Sequence, residues 1–392
     1  MSTVKNPVQS EKRRDFIFSE EHDELRESMT RWVLSELAPN ADAWEETGFP
    51  DSVFERAGEL GYIGLCLPEE WGGQGGDYFY SLVRAEALSH ARSGGLCLGV
   101  SVQTDMVLPP VEHFGTDEQK ERYLRPGIEG KKIACLGITE PGAGSDVAAI
   151  RTTMRPEGDH YVVNGTKTFI TNGARADFIL LLGKTDPSAG HRGISTLIVD
   201  MDSPGVTVSG TLKKMGMHAS DTAEIVFEDV VVPAANLLGE EGKGFYQISW
   251  QLQGERLVGA AMAVAGAERV FEQTLEYART REAFGAPLGD LQTVRHRMAL
   301  LAAKIEACKQ LTYSTAWRVE NGEYAVRETS MAKMLATEMA CEVADACIQI
   351  HGGYGYTAEY GIERAYRDMR LYRIGGGANE VMLEVIGKSY GL

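Results

Sequence analysis

Glu255 is the residue whose surroundings say most about chemistry. It stands in Gln251-Leu252-Gln253-Gly254-Glu255-Arg256-Leu257, within a mostly apolar run from about Gly244 to Glu272. Phe245, Ile248, Leu252, Gly259 and Met262 recur at helical spacing, and Glu255 falls on that stripe. Trp250, Leu257, Val258 and Val264 lie on the other side, so the helix is expected to be buried nearly all round. A carboxylate in such a place holds its proton more tightly unless something pairs with it. That is one way to make a general base. A Glu simply paired to a nearby Arg fits the same window, and the window alone leaves both readings open.

Three further stretches carry chemical groups. Gly137-Ile138-Thr139-Glu140-Pro141-Gly142-Ala143-Gly144-Ser145-Asp146 offers backbone N–H groups and a hydroxyl that suit a phosphate. It is neither a P-loop nor a dinucleotide fingerprint, and a tight turn explains it equally well. Phe169 and Thr171 are two apart in a strand pattern and share a face, where they could cover and bond a flat heterocycle. Gln349-Ile350-His351-Gly352-Gly353-Tyr354-Gly355-Tyr356 ends a long helix with glycines that permit close backbone approach. Arg281, Phe284 and Gln292 follow the Glu255 helix with a cation, an aromatic and an amide. Ordinary loops would explain each of these stretches taken singly.

The elements that must position these groups fall into three zones. At 392 residues the chain is too long for one core. To about residue 130 it is helical, with helical spacing over Glu20–Leu37, a run of Ala, Leu, Val and Met over Tyr78–Val107 with few breakers except Gly94-Gly95, and an N-cap at Thr116. From 131 to 244 short strands prevail: a hairpin turning at Asn164-Gly165, then Phe178–Leu182, Ile194–Val199, Val206–Val208 and Ile225–Val232. From 245 to 392 long helices return over Phe245–Arg279, Leu291–Asn321 and Tyr324–Ile350, with a last one from Asn379, which implies a four-helix bundle. The expected class is α+β multidomain: a helical domain, a β-barrel or sandwich, and a bundle. A ligand site is expected where the domains meet.

Composition narrows the function. A net charge of −17 argues against nucleic-acid or anionic-membrane binding. No apolar run has the length of a membrane span. The first fifteen residues lack an apolar signal core, and Glu11 and Asp15 fit a transit peptide poorly, so a cytoplasmic location is expected. The six cysteines form no CxxC pair, which points to reduced thiols and no metal site.

Taken together, these motifs resemble the acyl-CoA dehydrogenase family. Gly137–Ala149 looks like the family's first sequence pattern. Gln349–Asp368 looks like its second, with Gln349, Gly352, Gly353, Gly355, Glu359, Arg364 and Asp368 in register. Pro68–Gly73, Phe169–Gly173 and Arg281–Gly285 follow in order, so the likeness extends from about Phe16 onward. The resemblance implies a homotetramer with one FAD per subunit between the β domain and the bundle. It implies that Leu136, Ile138, Thr139 and Ser145 line the flavin and its pyrophosphate, with Phe169, Ile170 and Thr171 against its other side. It places Arg281, Phe284, Gln292, Gln349, Gly352 and Gly353 on the FAD of a neighbouring subunit, and Ala378 and Glu380 near the cofactor. Ser145, Tyr246, Arg256, Gly376 and Gly377 are the implied contacts to an acyl-CoA substrate.

Many relatives carry their base in a Tyr-Glu-Gly-Thr stretch before the last helix. Here that stretch is Gly375-Gly376-Gly377-Ala378, and Gly376 cannot take a proton. A minority, resembling isovaleryl-CoA and long-chain acyl-CoA dehydrogenases, place the Glu on the first bundle helix just before an Arg, as Glu255-Arg256 does. The implied reaction is α-proton abstraction by Glu255 with β-hydride transfer to flavin N5, giving a trans-2-enoyl-CoA. Electrons then pass to an electron-transfer flavoprotein. Gly375 stands where straight-chain relatives have a bulky aromatic, which suggests a long or branched acyl group. Two departures stand out: Phe169 replaces the Trp of many relatives, and Ala378 replaces Thr or Ser. A flavin oxidase or monooxygenase on the same fold, or a non-catalytic flavin or acyl-CoA scaffold, are the competing readings.

Overall fold

The computed structural model describes residues 17–392. The N-terminal stretch assessed above for a targeting signal lies outside the described residues. The first helix, Glu20–Trp32 (α1), starts at a capping box in which Ser19 and His22 satisfy each other's backbone N–H groups. Helical backbone continues through Leu37 in wider turns, so the whole expected span is helical. Tyr78–Val107 is not one helix. It divides into Phe79–Leu88 (α2) and Gly94–Ser101 (α3), separated at Arg92, whose φ of +54° stops the first segment. Thr116 caps its helix as expected, bonding Gln119 reciprocally.

The middle of the chain forms a seven-stranded sheet. Its strands are Ala134–Gly137 (β1), Thr153–Glu157 (β2), His160–Thr171 (β3), Phe178–Lys184 (β4), Ile194–Asp200 (β5), Val206–Thr211 (β6) and Thr222–Pro233 (β7). The pairing order is β1-β4-β2-β3-β7-β6, with β5 on β4. The expected hairpin is displaced. Asn164-Gly165 is a bulge inside the continuous β3, and the turn lies at Gly158-Asp159, between Glu157 and His160. Packing decides this: a β-carbon on Gly165 would lie 2.4 Å from Thr152 Oγ1, so the glycine serves close approach.

Five helices of at least eleven residues follow: Gly244–Thr280 (α4), Gln292–Glu320 (α5), Val326–His351 (α6), Ile362–Tyr372 (α7) and Asn379–Ser389 (α8). Sequence spacing anticipates all but α7, which was read only as part of a junction.

Helix α4 is a wall shared by three of the four hydrophobic clusters. Ile248 packs with Ile150, Leu182 and Ile194 of the β region. Leu257, Val258, Ala261 and Met262 pack into the N-terminal helices. Ala260, Ala263, Val264, Ala267 and Val270 pack into the bundle. A small-residue stripe of this kind lets α6 lie close along α4. The helix is not buried all round, however. Tyr246 and Trp250 in its first turns are exposed, and Trp250 stacks on His113 at 4.5 Å.

Candidate active site

Glu255 sits where α4 passes from the β region to the N-terminal helices, and its carboxylate makes no ion pair among the described residues. Its hydrogen-bond partner is the neutral amide of Gln251, one turn earlier, at 3.0 Å. Arg256 turns away and donates from Nε to the Gly376 carbonyl at 3.1 Å. Adjacent helix residues point about 100° apart, which explains the division. Burial raises the Glu255 pKa; the Gln251 hydrogen bond and the charges of Arg256 and Lys333 oppose it without cancelling it.

The loop before α8 faces this carboxylate. Gly376 and Gly377 have φ of +65° and +96°, a region that favours glycine. A β-carbon at Gly376 would stand 3.3 Å from Glu255 Oε1. Its carbonyl is held by Arg256, and that of Gly377 by Lys333 Nζ at 2.7 Å. Lys333 also binds Asn379 Oδ1 at 3.0 Å, tying the loop to α6. Burial, then Arg256, pushes the Lys333 pKa down to about 8. The Gly376 N–H makes no hydrogen bond among the described residues. Gln251 and Lys333 escaped the sequence reading. Gln251 was findable, being one turn from Glu255 on the same face; Lys333 acts across a contact that spacing cannot reveal.

The glycine-rich loop is locked to the sheet by a buried ion pair. Glu140 accepts from the N–H groups of Arg151 and Thr152 at 2.6 and 2.9 Å, and from Lys167 Nζ at 2.9 Å. Burial acts to raise the Glu140 pKa, but Lys167 and the Thr152 bond outweigh it and leave it lowered. Burial pushes Lys167 down to about 8 against the attraction of Glu140. Thr168 N–H donates to Thr139 O at 2.9 Å, so the loop and β3 move as one. Leu136 and Ile138 pack in the cluster that holds Leu252, one helical turn before Glu255.

These segments suit a flavin. The hydroxyls of Thr139, Ser145 and Thr171 bond no described protein group, and β-carbons at Gly142 and Gly144 would meet open space. Phe169 is 66% exposed at a bulge in β3, with φ of +60°. An aromatic residue held in that conformation is uncommon, and such strain concentrates at ligand sites. Ile170 differs: its side chain is buried in the β core, and its carbonyl accepts from the Gly173 N–H at 3.1 Å.

The remaining expected contacts lie outward. Arg281, Phe284, Gln292, Gln349, Gly352 and Gly353 are all exposed, Phe284 at 96% with φ of +55°. Ala378 is the N-cap of α8, and Glu380 is exposed in its first turn. Tyr246 is nine positions before Glu255, which puts it on the opposite face of α4. All six cysteines are free thiols.

Comparison with known proteins fits this geometry to a family. The acyl-CoA dehydrogenase N-terminal, middle and C-terminal domain families match residues 19–131, 135–230 and 242–391. The chain belongs to the acyl-CoA dehydrogenase family. It is therefore an oxidoreductase of a flavoprotein family. A crystal structure of an acyl-CoA dehydrogenase from Geobacillus kaustophilus superposes with a TM-score of 0.93 at 43% identity, covering 96% of this chain and 99% of that one. The long-chain specific mitochondrial acyl-CoA dehydrogenase of Rattus norvegicus is 40% identical, over 95% of this chain and 87% of its own. The short-chain specific enzyme of the same organism is 38% identical, over 94% and 89%. Overall similarity therefore does not rank chain lengths. A subunit of the caffeyl-CoA reductase–Etf complex of Acetobacterium woodii is 38% identical, over 94% and 98%. A structure of PigA with FAD and proline matches with a TM-score of 0.94 at 29% identity, over 96% and 99%.

Proposed function

We propose that this acyl-CoA dehydrogenase desaturates a long-chain or branched acyl-CoA at its α,β-bond, with Glu255 as the α-proton base. The observation that carries the reading is the carboxylate itself: half-buried, raised in pKa by desolvation, without an ion pair among the described residues and facing Gly376. A thioester's α-proton is weakly acidic and needs such a base in a dry site. The uncommitted N–H of Gly376 would donate to the thioester carbonyl, whose oxygen gains charge as the proton leaves. Arg256 and Lys333 hold the carbonyls of Gly376 and Gly377 in the two peptides that follow that N–H, so here they are positioning residues. A β-carbon at Gly375 would touch only Leu371 O, at 3.8 Å, which supports room for a long or branched acyl group.

FAD bound by Leu136, Ile138, Thr139, Ser145, Phe169 and Thr171, with the Ile170 backbone, would supply the two-electron acceptor. The outward Arg281, Phe284, Gln292, Gln349 and Gly352-Gly353 would reach the cofactor of a second subunit. Exposed Trp317, Leu335 and Leu383 on the bundle support association into a homotetramer. The name of the Acetobacterium relative supports an electron-transfer flavoprotein as acceptor, and the location proposed is cytoplasmic.

Anaerobic bleaching of the bound flavin by short straight, long straight and branched acyl-CoAs tests the whole reading. Fast bleaching by one class supports it and names the substrate. Flavin that no acyl-CoA reduces, but that turns over with oxygen and another substrate, would move the assignment to an oxidase.

A further inference from the structure

A cleft opens between the N-terminal helices, α4 and α7. From α4 it is lined by Met262, Gly266, Arg269, Val270 and Gln273. A helix turns about 100° and rises about 1.5 Å per residue, so these positions return to the face that carries Glu255. On that rise they lie roughly 10 to 27 Å from it along the axis. Gly259 falls on the same face nearer the base, and a β-carbon there would meet nothing within 4 Å. At Gly266 a β-carbon would meet only the Met369 methyl, at 3.2 Å. Met262 is the bulky side chain between these glycines, and its thioether is adaptable.

The far end of the cleft carries two guanidinium groups. Arg269 binds Glu272 through its two terminal nitrogens at 2.8 and 3.0 Å, while its Nε is buried without a partner. Arg92 lines the cleft from its left-handed turn and has no carboxylate at ion-pair distance among the described residues. His90 is pushed down to about 4 by burial and then by Arg269 and Arg92, so both guanidinium groups bear on one imidazole. Of the acids, Glu272 is engaged by Arg269. Asp368 is committed to the backbone N–H groups of Gly94 and Met217, and burial lifts its pKa to about 6.

Resting on the dehydrogenase reading above, we propose that the cleft takes the distal end of the acyl chain, and that Arg92 and Arg269 bind a carboxylate there. The substrate class is then the mono-CoA thioester of a long-chain α,ω-dicarboxylic acid. With C–C bonds near 1.5 Å, an extended chain advances about 1.25 Å per methylene. The 14 residues from Glu255 to Arg269 rise about 21 Å, which corresponds to roughly fourteen to eighteen carbons. The terminal carboxylate is bound and unchanged by the reaction.

The test compares anaerobic flavin reduction by hexadecanoyl-CoA, the mono-CoA thioester of hexadecanedioic acid, and butanoyl-CoA. The dicarboxylate is expected to exceed hexadecanoyl-CoA in kcat/KM by about tenfold or more, the scale of a charge-assisted bond. Arg92→Gln, an exposed position that leaves the core intact, and Arg92→Gln with Arg269→Gln should each shrink that ratio. Gly266→Leu should lower the hexadecanoyl-to-butanoyl ratio about tenfold by filling the cleft. A dicarboxylate no better than hexadecanoyl-CoA, or a preference that survives both Arg variants, overturns the proposal and leaves the dehydrogenase standing. Failure of all three thioesters and of branched acyl-CoAs to bleach the flavin overturns both.

Discussion

Glu255 Oε1 lies 3.3 Å from the point a β-carbon on Gly376 would occupy. The helix carboxylate thus borders the space that a side chain from the loop would enter. Helix and loop are two routes by which a base can reach one position. Glycine at 376 leaves that space to Glu255 and adopts φ of +65° without the steric cost a β-carbon brings.

Glu255→Gln is expected to retain FAD and acyl-CoA binding and to slow flavin reduction by about 10²- to 10⁴-fold, the usual contribution of a positioned base. Moving the base with Glu255→Gly and Gly376→Glu should recover part of that loss. Recovery stays partial because a left-handed Glu costs about 1–2 kcal/mol. Stopped-flow reduction of the three proteins decides it, and equal rates in wild type and Glu255→Gln would remove the residue from the chemistry.

The long helices and most strands were legible because their apolar spacing is regular over many residues. Asn164-Gly165 misled because a turn pair and a bulge share their composition; the choice rests on Thr152, which lies elsewhere in the sequence. Helix α7 is short and begins after several glycines, so it looked like a junction. Glu255 was recognisable from its place before Arg256. That Arg256 turns to the Gly376 carbonyl, and that Lys333 holds Gly377, depends on contacts across 120 and 44 residues, which no local pattern carries.

The pH dependence of rate and of stability should run in opposite directions. The base must be ionised, and burial raises its pKa. Flavin reduction is therefore expected to rise with pH through a window above the ordinary carboxylate range, then level off. For folding, a raised native pKa contributes stability below the unfolded value, and this is lost as pH rises through the native value. Glu255→Gln should melt higher than wild type at neutral pH, with the gap closing in acid. Melting curves of both proteins across pH measure this, and a variant that melts lower at neutral pH would contradict it.

Arg256→Gln separates positioning from electrostatics. The guanidinium holds the Gly376 carbonyl and favours the Glu255 anion. Its loss should lower kcat about tenfold, in line with one lost hydrogen bond to a charged group. It should also move the acid limb of the pH–rate profile upward. A fall in kcat with an unmoved limb would assign Arg256 to loop geometry alone.

Lys167→Met tests how the glycine-rich loop is held. Lys167 and Glu140 are both buried, and removing one partner of such a pair typically costs about 3–5 kcal/mol. The Glu140 carboxylate would keep only the N–H groups of Arg151 and Thr152. Thr139, Ser145 and the Thr168–Thr139 link would then lose their fixed relation to Phe169. The expected outcome is a lower melting temperature and a lower ratio of flavin to protein absorbance after gel filtration. Adding Glu140→Gln should restore part of the melting temperature, because the buried charge is gone. It should restore less of the flavin, because the amide does not replace the ion pair that locks the loop to β3. Full flavin retention in Lys167→Met would show that Glu140 and its two N–H donors suffice to shape the loop.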